Sequence, residues 1–466
     1  MFQFSHVISN KRQSIPIYIE KQYYFLFPMY YLFLLIYIYI LSYPLRKGRD
    51  LFSPTSIWSI LIMFYSVPFL LIAFSSRVIC DENVLSYCGR DYDYYLCLFM
   101  FNQSLFSIFY YYAFNRFSSI KKNEKEKKTI WSIPVSKKIC GTMFPILYGI
   151  ALSMVAYFLF SFGGLLILIN ALGENRGLIK DDNQIFLSLA SFFVCLGSIF
   201  HIKYLSYCTH RVIGIIICLV IGFIVVSIGG GRGPFLTYVI TVGICYTYFI
   251  HKFKIFSLKL LPLYFSIIIF FIGMLGLRIS AGSDFGEMIE SNFLSVFSGN
   301  SYVDIQVATE KYFEGHDFWA GKTFSKPHHI FALRSIVPDK RPIDDGVYYF
   351  AAFFEGGEIF NRTDFSNSWP PGTLGSMYAN FGYIGIIMGA ILLAYIHNLF
   401  FKLFNNNKRN ILTVYLYSFV IVKFQLTYYY YANLVYLIIY LFLFILVFKF
   451  FYSFRPSRFI KISKKT

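Results

Sequence analysis

Residues 212–250 read VIGIIICLVIGFIVVSI, then Gly229-Gly230-Gly231-Arg232-Gly233-Pro234, then FLTYVITVGICYTYFI. No charge interrupts either apolar run. A helix needs ~20 mainly apolar residues to cross a bilayer, and both runs approach that length. They predict two membrane-embedded helices joined by a glycine-rich turn.

Working outward, similar stretches recur along the whole chain. Eleven are predicted as spans: 23–43, 55–75, 94–114, 142–162, 185–203, 212–228, 235–250, 260–276, 380–401, 411–427 and 433–452. Composition agrees. Of 466 residues 57% are hydrophobic and 14% charged, the latter about half the ~25% usual in soluble proteins. A disordered chain is excluded as well, because 56 Phe and 40 Tyr would not stay solvated. The expected fold is therefore an all-α polytopic membrane protein. Three regions follow: spans one to eight over 1–276, a large loop over 277–379, and the last three spans with a tail over 380–466. Met1–Lys21 lacks the charged start and apolar run of a cleaved signal peptide.

Lys and Arg gather on the cytoplasmic side of membrane proteins. Placing the loop after the first span there collects Arg46, Lys47 and Arg49, the seven lysines of 115–141, Lys252, Lys254, Lys259, Lys402, Lys408, Arg409 and the five cations of the tail. Lys11, Arg12 and Lys21 run against this and fall outside. The formal charge of +18 is thus an orientation signal beside an anionic leaflet, and no nucleic-acid partner is needed to explain it. The opposite face carries the acids. The 277–379 loop holds 13 Asp+Glu against 8 Lys+Arg. It is too long for a plain connector, so short helices packed on the membrane domain are expected. Cys80 and Cys88 share the other outer loop, either as a local disulfide or as two free thiols. No CxxC pair is present, and most other cysteines sit inside spans as small apolar residues.

Several polar residues lie where chemistry could occur. Glycine and proline in 229–234 suit a tight turn, which leaves Arg232 unexplained. A guanidinium in a rigid turn at head-group depth can grip a phosphate with two hydrogen bonds. Arg278 directly follows the eighth span, where a helix-end cation also snorkels. Arg176 lies in the outer 163–184 segment, whose apolar spacing suits an interfacial helix. The large loop adds His328-His329, Arg334, Asp339-Lys340-Arg341, Asp344-Asp345, Glu355, Glu358 and Arg362. For most of these a solvated loop charge is explanation enough. No HExxH or comparable ligand spacing occurs, so no metal and no other cofactor is expected.

The most distinctive stretch is 367–385. Within it Pro370-Pro371-Gly372, Gly375, Tyr378, Asn380-Phe381-Gly382 and Gly385 form Pro-Pro-Gly-x-x-Gly-x-x-Tyr-x-Asn-Phe-Gly-x-x-Gly. Glycines 382, 385 and 389 suit close packing of a helix through one small-residue face. With Gly231-Arg232-Gly233 and Val337–Pro342, this stretch resembles the Wzy-type oligosaccharide repeat-unit polymerases of O-antigen and capsule synthesis.

That resemblance implies a GT-C-like, multi-pass glycosyltransferase of the bacterial inner membrane with a periplasmic active face. Donor and acceptor would be undecaprenyl-pyrophosphate-linked oligosaccharides held among membrane lipid, with a chain-length regulator protein as a candidate partner. Arg232, Arg278 and Arg341, then Arg176 and Arg334, would hold pyrophosphate. His329 is the first choice of base, since imidazole titrates near pH ~6.5, with Asp339 and Glu355 open. The related O-antigen ligases share the plan with a different acceptor. A flippase for lipid-linked sugars is the alternative from another class; its expected deep cations are missing apart from Lys423.

Overall fold

A computed structural model describes residues 20–48, 50–73, 80–119, 135–161, 163–164, 184–209, 211–228, 232–250, 302–325, 346–356, 359–361, 368–369, 371–406, 410–424 and 429–453. Among the described residues the chain is helical, without a strand. The α-helices of five or more described residues are α1 Glu20–Leu41, α2 Pro54–Ala73, α3 Glu82–Cys88, α4 Tyr92–Ser119, α5 Lys137–Ser161, α6 Gln184–Leu205, α7 Val212–Ser227, α8 Arg232–Phe249, α9 Tyr302–Glu314, α10 Gly346–Phe350, α11 Gly372–Asn406, α12 Ile411–Lys423 and α13 Tyr429–Ser453. A π-helical turn, Ala351–Glu355, continues α10.

Ten of the eleven apolar stretches coincide with a helix; the eighth, 260–276, lies outside the described residues. Among the described residues, four helices are both long and apolar enough to cross a membrane: Pro54–Ala73, Lys137–Ser161, Phe186–Leu205 and Gly372–Asn406. Three of them carry exposed apolar side chains, Leu71, Ile146, Ile384 and Met388, which hydrocarbon can cover. The helix at the ninth predicted span reaches back to Gly372, directly after Pro371, but it is broken at Gly382, so the part beyond the break starts within a few residues of the expected 380. Proline cannot continue a helix backwards but readily precedes one. The tenth stops at Lys423, the last residue of α12.

Two cores organise the molecule. In the first, α1, α2 and α4 pack with α9, α10 and the N-terminal half of α11. In the second, α5–α8 pack with α12 and α13. The far end of α11 reaches the second core through Phe404. The notable member is α9. It comes from the segment expected as a large loop, yet Val303, Ile305, Val307, Ala308 and Phe313 lie in the first core. Short helices from the 277–379 segment, α9 and α10, thus pack against α1, α2, α4 and α11.

Candidate functional site

The helix α9 has the sequence YVDIQVATEKYFE. Its polar residues Asp304, Gln306, Thr309 and Glu310 are as buried as its valines, none more than 3% exposed. Buried polar groups cost free energy unless paired, and the pairing explains how α9 is seated. Asp304 accepts from the Tyr92 hydroxyl at 2.7 Å and the Asp81 backbone N–H at 3.1 Å. Asp81 in turn caps α3 by accepting from the N–H of Asn83 and of Val84. Tyr302 donates to Gln103 Oε1 at 2.9 Å, and Gln306 Nε2 donates to the Pro371 carbonyl. Thr309 bonds back to Ile305 within the helix. Glu310 Oε1 accepts from Asn102 Nδ2 at 2.8 Å.

That leaves Glu310 Oε2 and Asn102 Oδ1 buried with no partner among the described residues. Burial lifts the Glu310 carboxyl well above the ordinary carboxylate range, and the Asn102 hydrogen bond offsets only part of that rise. Its neighbour Glu314 differs. It is exposed, accepts from Tyr95 and lies 3.4 Å from Lys311 Nζ, and those contacts hold its carboxyl below the usual value. Two carboxyls four residues apart on one helix thus have opposite character, set by environment alone.

The distinctive 371–385 stretch forms a broken helix beside α9. Gly382 takes φ 61° and ψ −145°, a conformation closed to side chains, and breaks α11 there. The freed carbonyls are taken by another segment. Trp319 N–H donates to Ala379 O at 2.9 Å and Ala320 N–H to Asn380 O at 3.0 Å. Asn380 Nδ2 spans Thr323 Oγ1 and Ser376 O, both at 2.8 Å. Phe318 lies edge-on to Tyr378, as does Tyr383. Gly375 gives room to the Gln306 amide, which a Cβ there would meet at 2.8 Å. The residues of the motif therefore act first as architecture: they bend the helix and receive α9 and the 318–323 segment.

This corrects the expectation of a single small-residue face. Gly385 and Gly389 do permit close packing, but against Met377 of the same helix beyond the break. Gly382 is the break itself.

Of the candidate site residues, Arg176, Arg278, His329, Arg334, Asp339 and Arg341 lie outside the described residues. Arg232 is the first residue of α8, with its side chain outside them. Glu355 is exposed and ends the π-turn before Gly356, whose φ is 69°. Cys80 and Cys88 are buried thiols with no disulfide between them, and burial pushes the Cys88 thiol up to about 12. Glu310 and Asn102 were not singled out from sequence. A usable signal existed: Asn102-Gln103-Ser104 interrupts an apolar span, and polar residues at such depth require a partner. Among the described residues no three His, Cys, Asp or Glu side chains gather as metal ligands do. The sequence matches no protein-family model, no curated protein and no solved structure.

Proposed function

We propose that the chain is a glycosyltransferase of the bacterial inner membrane that polymerises undecaprenyl-pyrophosphate-linked oligosaccharide units on the periplasmic side. The observation that carries this reading is the 371–385 stretch. The residues that resemble the polymerases form a bent helix clasped by α9 and by 318–323, the kind of rigid support a reacting site needs.

In this reading an acceptor hydroxyl attacks the anomeric carbon of the donor, and the lipid pyrophosphate leaves. His329, Asp339 or Glu355 takes the proton, and arginines stabilise charge on the leaving oxygen. Arg232 suits the second role. A cation at a helix N-terminus faces the positive end of the dipole and costs roughly 0.3–1 kcal/mol, so its place at the start of α8 does not serve the helix.

A second reading has its own support. A bent membrane helix beside a buried carboxyl is also how transporters build sites near the bilayer midplane, which favours a flippase for the same lipid-linked units. Deleting the gene and following surface glycan and lipid-linked intermediates tests both. A polymerase leaves single repeat units on the surface. A ligase leaves polymer on its lipid carrier. A flippase leaves single units trapped on the cytoplasmic leaflet. An unchanged glycan profile rejects all three.

A further inference from the structure

The Glu310–Asn102 contact is short of one hydrogen. The two groups come from segments 208 positions apart and share one bond, Asn102 Nδ2 to Glu310 Oε1 at 2.8 Å. Each side chain is planar and has a second polar atom on its other arm. With one pair of arms joined, the other two are both bare oxygens, Glu310 Oε2 and Asn102 Oδ1. Both are shielded from solvent and without a donor among the described residues. Two buried acceptors left unpaired are costly, more so if one is charged. One proton on Oε2 removes both defects, because Oε2 becomes the donor that Oδ1 lacks.

We propose that Glu310 is a proton-binding site: its carboxyl is held as the neutral acid, Oε2–H donating to Asn102 Oδ1, and this reciprocal acid–amide pair fastens α9 to α4. The inference is independent of the glycosyltransferase reading. It concerns how the helix from the large segment between spans is held, whatever that helix serves.

The surroundings keep the proton in place. Within electrostatic reach stand Cys88 from α3, Tyr378 and Tyr383 from α11 and Tyr302 from α9 itself, all neutral at physiological pH. Lys311, the next residue, turns instead to Glu314 and the Tyr95 ring. The helix α2 has no charged residue, and Glu355 on the π-turn is exposed. With no cation among the described residues turned to favour the carboxylate, burial decides the protonation state.

The consequence for pH has a definite sign. The folded protein holds the Glu310 proton while the unfolded chain releases it above ~4.3. Stability from this group is therefore complete below that value and declines as pH rises, until the folded carboxyl itself ionises.

Glu310→Gln tests the proposal, because glutamine copies the neutral acid: its amide donates where Oε2–H donated and accepts where Oε1 accepted. In detergent, thermal melts of wild type and Glu310→Gln should coincide near pH 4, and the variant should melt progressively higher as pH rises to 8. Infrared difference spectra should show a protonated-carboxyl C=O stretch in the wild type at pH 7 that is absent from Glu310→Gln. Glu310→Ala, which restores neither bond, should melt below both. The proposal is overturned if Glu310→Gln melts as low as Glu310→Ala or does not fold. It is equally overturned if the melting difference is flat with pH, or if the wild type lacks the carboxyl band at pH 7.

Discussion

The carbonyl oxygen of Met377 lies 2.1 Å from where a Cβ on Gly385 would stand. In an uninterrupted helix residues eight apart are separated by ~12 Å along the axis. The contact therefore shows that α11 folds back on itself at Gly382, and that the two halves meet at a distance only glycine allows. Met377 also fills the space over Gly389, one turn on.

Gly385→Ala should accordingly be among the most damaging small substitutions in the protein. The obstacle is backbone, which cannot rotate away, so the cost should reach or exceed the upper end of the ~1–3 kcal/mol typical of overpacking. Gly382→Ala should cost about 1–3 kcal/mol from its positive φ, since the Phe318 ring that its Cβ would meet at 2.9 Å is partly exposed and can turn. Gly149→Ala is the control: nothing among the described residues lies within 4 Å of its Cβ position, and the melting point should hold or rise slightly. Thermal melts of the three variants in one detergent check the order.

Arg232 separates function from folding. Replacement by Lys keeps the charge but loses the planar two-bond grip. A lost hydrogen bond to a charged group costs ~1.5–3 kcal/mol, roughly tenfold to over a hundredfold in rate if it falls wholly in the transition state. Arg232→Ala should be worse still, yet equally stable, because the start of α8 loses an unfavourable dipole contact. Glycan chain length measured beside membrane protein level for wild type, Lys and Ala decides the matter. Full-length polymer from Arg232→Ala would mark it as a helix-end residue only.

Topology has a direct test at Ser325, which ends the segment clasping the bent helix and bonds back to Lys322 O at 2.7 Å. A single cysteine placed there should react with a membrane-impermeant maleimide in intact spheroplasts, while one at the Arg455–Thr466 tail should react only after lysis. The reverse pattern would invert the charge-based orientation.

Glycosyl transfer by arginines and a side-chain base needs no metal. EDTA should leave polymerisation in isolated membranes unchanged within about twofold, a span worth only ~0.4 kcal/mol in barrier height. Loss of activity restored by one divalent ion would replace the all-arginine account of the leaving group.

Run length and charge balance are one-dimensional properties, and the sequence by itself determined what depends on them. A stretch such as 212–228, if it lies in a membrane, has to be helical, because its backbone can find hydrogen-bond partners there only within itself. The helical class, ten of the helix positions and the packing of short helices from the 277–379 segment on the rest were legible for that reason. Tertiary structure alone decided the roles of individual polar residues. Nothing in YVDIQVATEKYFE by itself marks Glu310 as buried; that shows only when Asn102, 208 positions away, is seen against it. Whether a carboxyl is charged or neutral depends on what excludes water from it, and those neighbours come from α3, α4 and α11. The glycines at 382 and 385 likewise read as one packing face, because spacing records which residues share a side of a straight helix. It carries no mark of the single residue where that helix turns back.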